Sequence, residues 1–282
     1  CLNMKKISRR SFLAAAGLSV AALALTACGG SSASTASSVA SSAASSEAAS
    51  TSAAAGELTT VEAGKLTMAT NAAFPPYEMT TDAGEFEGID IETAQAIADK
   101  LGLELQIDDM DFDAALLSVQ QGKADIVMAG VTVTDERKAV MDFSDSYATG
   151  IQSIIVPNDS DIASPDDLAG KKIGTQRGTT GYIYCSDDFG EDSVVAYDSG
   201  LTAVQALNNG QVDAVVIDNA PATEYVAANP GLKVLDTSYA EEDYAIGMAK
   251  GSALEDAVNK ALEELKADGT LQAIVDKYIN AN

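Results

Sequence analysis

Short apolar runs alternate with amphipathic stretches along most of the chain, and that alternation predicts the elements. Residues 66–70, 103–107, 126–129, 153–156, 172–175, 194–197, 214–217 and 244–248 have the length and apolar character of buried strands. Between many of them, apolar positions recur at helical spacing over 91–101, 114–121, 201–208, 222–228 and 253–267. Strand and helix in alternation predict an α/β fold of mostly parallel sheets flanked by helices.

The first 56 residues do not follow this pattern. Lys5, Lys6, Arg9 and Arg10 precede an apolar run of 16 residues, 12–27, too short for the roughly 20 that span a bilayer. The order predicts an export leader over 1–27. It ends in Leu25-Thr26-Ala27-Cys28, which resembles a bacterial lipobox, and that likeness implies cleavage before Cys28 and lipidation of its thiol. Ser8-Arg9-Arg10-Ser11-Phe12-Leu13 also resembles a twin-arginine export motif, and the ordinary secretory route fits as well. Cys1, Leu2 and Asn3, ahead of Met4, carry no assigned role. Of the 28 residues in 29–56, 21 are Ser or Ala, a composition that cannot bury a core. As a flexible coil this tether spans roughly 30 Å root-mean-square.

The remaining stretch, 57–282, contains an internal echo. At an offset of 88, Gly122 matches Gly210, Asp125 matches Asp213, and 126–128 match 214–216. Each copy reads as amphipathic helix, glycine, aspartate and buried strand, which predicts two similar lobes. The echo sets Gly130 and Asp218 at equivalent places beyond strand ends, where open α/β sheets bind ligands.

Composition narrows the chemistry. The chain has 17 basic and 42 acidic side chains; losing the four basic residues of the leader leaves 13 against 42, a formal charge of −29. Such a polyanion is repelled by nucleic acid and anionic lipid, so neither is an expected partner. With no histidine and one cysteine, Cys185, beyond the lipobox, zinc sites, imidazole catalysis and intrachain disulfides are not expected. No metal or cofactor is called for, and a buried inert thiol is the expectation for Cys185.

Arginine usage points to one stretch. After residue 10 there are two arginines, Arg137 and Arg177, against eleven lysines. Arg137 closes Asp125-Ile-Val-Met-Ala-Gly-Val-Thr-Val-Thr-Asp-Glu-Arg, a run that passes from strand through Gly130 to Thr132 and Thr134. Bare backbone, a hydroxyl and a guanidinium at one strand end suit a small ligand with both carboxylate and ammonium. An arginine in an exposed helical turn is the alternative, as is Asp218 acting only as a helix cap.

These residues resemble the bacterial extracellular solute-binding proteins of the polar amino-acid type. The likeness covers 65–278 and rests on Ala69-Thr70-Asn71-Ala72-Ala73-Phe74-Pro75-Pro76-Tyr77-Glu78, Gly88-Ile89-Asp90-Ile91, Asp111-Phe112-Asp113-Ala114, the stretch ending at Arg137, Gly174 with Gly178-Thr179-Thr180, and Asp213-Ala214-Val215-Val216-Ile217-Asp218. It implies a two-lobed periplasmic-binding-protein-like fold with two hinge crossings, near 148–151 and 239–243. Lobe 1 would hold 57–147 and 244–282, and lobe 2 would hold 152–238. It implies that Arg137 forks a ligand carboxylate with help from Thr180, and that Asp218 takes the ammonium with the Gly130 carbonyl and the Thr132 hydroxyl. Phe74 and Phe112 would sandwich the ligand side chain, or else belong to the core. Asn71 and Gln176 would read its polar end. The implied protein is a monomeric, lipid-anchored extracytoplasmic receptor that hands an amino acid to the permease of an ATP-driven (ABC) importer.

Asn71 departs from relatives that carry an acid there for a cationic ligand, which favours a neutral polar amino acid, while the acidic field favours cations. A second reading is a dehydratase or lyase for small carboxylates on the same fold, with Glu78 and Asp90 as its nearest acid–base candidates. A third is a surface adhesin or sensor module.

Overall fold

The computed structural model describes residues 58–279; the leader, Cys28 and the tether lie outside them. The chain opens as β1 (Lys65–Thr70), followed by a small three-stranded sheet of β2 (Ala73–Phe74), β3 (Glu78–Thr80) and β4 (Phe86–Glu87). Helix α1 (Ile89–Leu101) follows and buries Ile89, Ile91, Ala94, Ile97 and Ala98, the helical stripe that the sequence carries. Gly88 makes this entry possible: its φ is +133°, and a Cβ there would stand 2.2 Å from the Tyr77 carbonyl oxygen. Next come β5 (Glu104–Asp109), α2 (Phe112–Gln120), β6 (Ile126–Val127), the short α3 (Asp135–Lys138), β7 (Met141–Phe143) and the long β8 (Ala148–Pro157).

The second half repeats the scheme with β9 (Ile173–Gln176), α4 (Thr180–Phe189), β10 (Val194–Tyr197), α5 (Gly200–Asn208), β11 (Ala214–Asp218), α6 (Asn219–Ala227) and β12 (Leu232–Val234). The chain then returns through β13 (Ala240–Tyr244) and β14 (Gly247–Ala249) to α7 (Glu255–Ala267) and α8 (Thr270–Ile279).

Besides the small sheet of β2, β3 and β4, two large sheets result, one per lobe. Their orders, β5-β1-β6-β14-β7 and β10-β9-β11-β8-β12, correspond strand for strand. In each, the first three strands are parallel, and the strand beside β6 or β11 runs antiparallel. Thus the echo between 122–130 and 210–218 is the visible part of a repeated topology: β6 and β11 hold the same central place. Parallel strands joined by helices bury both faces. Each sheet accordingly has an apolar cluster on either side, α1, α7 and α8 covering one face of the first and α2 the other. Cys185 is fully buried in the second lobe, where burial pushes its thiol up to about 12 and leaves it unreactive.

The lobes are joined by β8 and β13, which pair antiparallel from Ala148 opposite Tyr244 to Gln152 opposite Ala240. The strand expected at 244–248 is divided: β13 ends at Tyr244 and β14 starts at Gly247, where the chain bends from the crossing into the first sheet. Helix α4 was not expected, because its buried residues include Thr180, Gly181 and Cys185, which make no apolar stripe of ordinary appearance.

Candidate functional site

The cleft lies where the carboxyl ends of both parallel sets face each other, the edge at which strands hand over to helix N-termini. It is lined by all nine residues singled out in the sequence: Asn71, Phe74, Phe112, Gly130, Thr132, Arg137, Gln176, Thr180 and Asp218.

Arg137 reaches it from α3. Thr134 caps that helix, its hydroxyl accepting from the Arg137 N–H at 3.2 Å. The side chain is 9 % exposed, which excludes the surface-arginine alternative. Its guanidinium donates to the Thr132 carbonyl at 2.7 Å and, across the cleft, to the Gly178 carbonyl at 3.1 Å. It also stands 5.4 Å from the centre of the Phe112 ring. Burial pulls its pKa down, and the Glu242 carboxylate opposes that. Of five guanidinium N–H groups, at least two remain for another acceptor. By contrast, Arg177 is half-exposed, 3.5 Å from Asp198 on the surface.

Asp218 ends β11 from the other lobe. Its carboxylate accepts from the Tyr244 hydroxyl at 2.5 Å and from the Ala220 N–H at 3.3 Å, so it caps α6 and faces the cleft at once. Burial raises it to about 6 despite those two donors. Gly150 leaves room for this pair: an added Cβ would lie 2.6 Å from both the Asp218 Oδ2 and the Tyr244 ring. We expect Gly150→Ala to displace that pair and to cost about 1–3 kcal/mol in stability, read as a lowered denaturation midpoint.

Gly130 has φ +56°, and its Cβ would come within 2.9 Å of Phe74. Its N–H donates to Asp90 at 2.9 Å. Thr132 and Thr180, from opposite lobes, stand 3.5 Å apart, and both donate to one carboxylate oxygen of Glu242, at 3.0 and 2.9 Å. Gln176 donates to the Asn71 side-chain oxygen at 2.9 Å, so the two amides meet across the lobes. Tyr225 adds another bridge, to the Ala73 carbonyl at 2.7 Å.

Three cleft-side residues carry no role in the sequence reading. Glu242 and Tyr244 fall two positions apart on the buried face of β13, although the run Ala-Glu-Glu-Asp-Tyr does not itself alternate in polarity. Gln152 joins them, donating to Glu242 at 3.0 Å. Glu78, expected only as an acid–base candidate, is also there. It is fully buried in β3 and lines the cleft beside Asp90, and no donor reaches either of its carboxyl oxygens. Among the described residues no cluster of metal-ligating side chains occurs.

Two lobes, two hinge strands and a buried cleft with a guanidinium from one lobe and a carboxylate from the other define a hinged binding protein for a small polar solute. Residues 66–281 match the bacterial extracellular solute-binding proteins, family 3, and the chain belongs to that family. It is 33 % identical over 225 residues to the L-cystine-binding protein TcyJ of Escherichia coli K12, covering 78 % of this chain and 85 % of that one. It is 33 % identical over 286 residues to a probable histidine-binding protein of Neisseria gonorrhoeae, covering 98 % and 96 %. Among solved structures, the arginine-, lysine-, histidine-binding protein ArtJ of Geobacillus stearothermophilus superposes with a TM-score of 0.74 at 34 % identity, covering 77 % of this chain and 96 % of ArtJ. These relatives are solute-binding proteins, not enzymes, so the buried Glu78 and Asp90 are not read as an acid–base pair for catalysis.

Proposed function

We propose that this protein is a lipid-anchored extracytoplasmic receptor that closes on a basic amino acid, of the arginine type, and delivers it to an ABC importer. Membership of the family supports solute binding, and relatives named for arginine, lysine, histidine and cystine support an amino acid. In this reading Arg137 and Thr180 hold the α-carboxylate. Asp218 holds the α-ammonium with Thr132 and the Gly130 carbonyl. Phe74 and Phe112 flank the side chain, and Asn71 and Gln176 meet its polar end. Anchoring rests on Cys28 and the tether, and delivery rests on the family.

The basic class is carried by one observation, the donorless carboxyl of Glu78 on the cleft wall. It supplies the acid that Asn71 lacks. A neutral side chain leaves that carboxyl protonated, whereas a guanidinium offers its ionised form a forked partner. Thermal-shift and calorimetric screening of the purified protein against the common L-amino acids should give its largest response with arginine, ahead of neutral glutamine. Silence across the panel would remove the receptor reading, and a preference for neutral ligands would remove the basic class alone. Lipidation is checked separately: Cys28→Ser should move the protein from the membrane fraction to the soluble one.

A further inference from the structure

Glu78 and Asp90 form a pair of buried carboxyls with unequal partners. Asp90 accepts from the Gly130 N–H at 2.9 Å through one oxygen and from the Tyr147 hydroxyl at 2.7 Å through the other. Glu78 has neither kind of donor, and both residues are fully buried. The charged groups acting on Glu78 are themselves carboxylates, Asp90 on α1 and Asp109 at the end of β5. The other titratable groups around it are phenols: Tyr77 beside it, Tyr147 ahead of the first crossing and Tyr225 on α6. Arg137 lines the same cleft, with its guanidinium committed to Thr132, Gly178 and the Phe112 face.

Two carboxylates in such a place cannot both stay ionised without a cation. One shared proton resolves the geometry. Placed on Glu78, it lets that carboxyl donate to Asp90, giving Glu78 the hydrogen bond it otherwise lacks. Burial and the Asp90 charge raise Glu78 well above the usual carboxylate range, while Asp90, steadied by its two donors, stands at about 6.

We propose that a basic ligand enters this cleft in exchange for a proton: its side-chain cation settles against Glu78, the proton shared with Asp90 leaves to solvent, and both carboxyls are ionised in the loaded protein. This rests on the basic class assigned above and deepens it. Charge balances, since one cation replaces another in the same buried pair. The pair thereby acts as a filter that admits a cation more readily as pH rises, while a neutral side chain leaves the proton in place.

Asp218 supplies a built-in control. It also changes charge, at about 6, and faces the α-ammonium that every amino acid carries. Above that pH its contribution is small, so proton release near pH 7 isolates the Glu78 pair. The experiment is calorimetric titration of the purified protein with L-arginine at pH 7 in buffers of different ionisation enthalpy, beside the same titration of Glu78→Gln. The wild-type protein should release close to one proton per arginine, with affinity falling toward tenfold per pH unit on acidification. In Glu78→Gln the release should drop toward zero, and circular dichroism would verify that variant's fold. Arginine binding to the wild type without proton release overturns the exchange, and so does equal release in both proteins. If Glu78→Gln does not fold, the proton count of the wild type decides alone. Absence of any amino-acid response overturns the receptor reading as well, which distinguishes the two failures.

Discussion

Arg137→Ala will weaken amino-acid binding by at least about 30-fold, the equivalent of roughly 2 kcal/mol. The loss has two parts. A ligand carboxylate held in the closed cleft would have no cation beside it, and a buried charge without a partner is far costlier than an exposed one. In addition, the Thr132 and Gly178 carbonyls would each lose a guanidinium donor, at 2.7 and 3.1 Å. The second of those bonds joins the lobes, so the variant should also favour the open form. Arg137→Lys separates charge from geometry: a single ammonium keeps the first and cannot reproduce the fork or the stacking on Phe112. Calorimetry should rank the proteins wild type, Lys, Ala. Equal affinity for wild type and Ala would remove Arg137 from the site.

Arg137 also shows how much of the site was legible. Its rarity among basic residues, together with the glycine and threonine before it, pointed to the cleft from the chain alone. The repeat did the same for Asp218, because equivalent strand ends in two lobes that face each other must share a crevice. What stayed hidden was anything contributed by residues whose local pattern has an ordinary explanation. Glu78 was visible only as an acid–base candidate, and its three-residue strand is too short for alternation to reveal it as a buried acid facing a ligand. Glu242 belongs to an acidic run on a connecting strand, where solvation is the default reading. Its burial follows from the pairing of β13 with β8, a contact between segments far apart along the chain that no local window contains. The fold was legible for the same reason that these residues were not: periodicity reports what lies along one element, whereas the hinge network is made between elements. The helices α4 and α8 escaped notice because their buried faces are narrow, with small residues in α4 and with Leu271 and Ile274 in α8.

At the opposite pole, Asp218→Asn should do two contrary things. Asparagine keeps an oxygen for the Tyr244 hydroxyl and for capping the Ala220 N–H, so the local structure has what it needs. The ligand ammonium, however, would lose its counter-charge, and affinity should fall by about tenfold or more. In the empty protein the sign reverses. Asp218 has a folded value of about 6, above the ordinary unfolded carboxylate near 3.9, so folding favours its protonated form. That favourable contribution is fully present below the unfolded value and is lost as pH rises through about 6. At pH 8 the wild type therefore holds a buried carboxylate at a cost to stability, and the Asp218→Asn substitution removes that cost. Thermal denaturation without ligand at pH 8 should place Asp218→Asn above the wild type, by up to about 3 kcal/mol in the limit where no other group relaxes. The gap should close as pH falls toward 4. A variant that loses ligand and stability together would mean that Asp218 is chiefly a cap, whereas weaker binding with a firmer empty fold marks a charge held in place for its ligand.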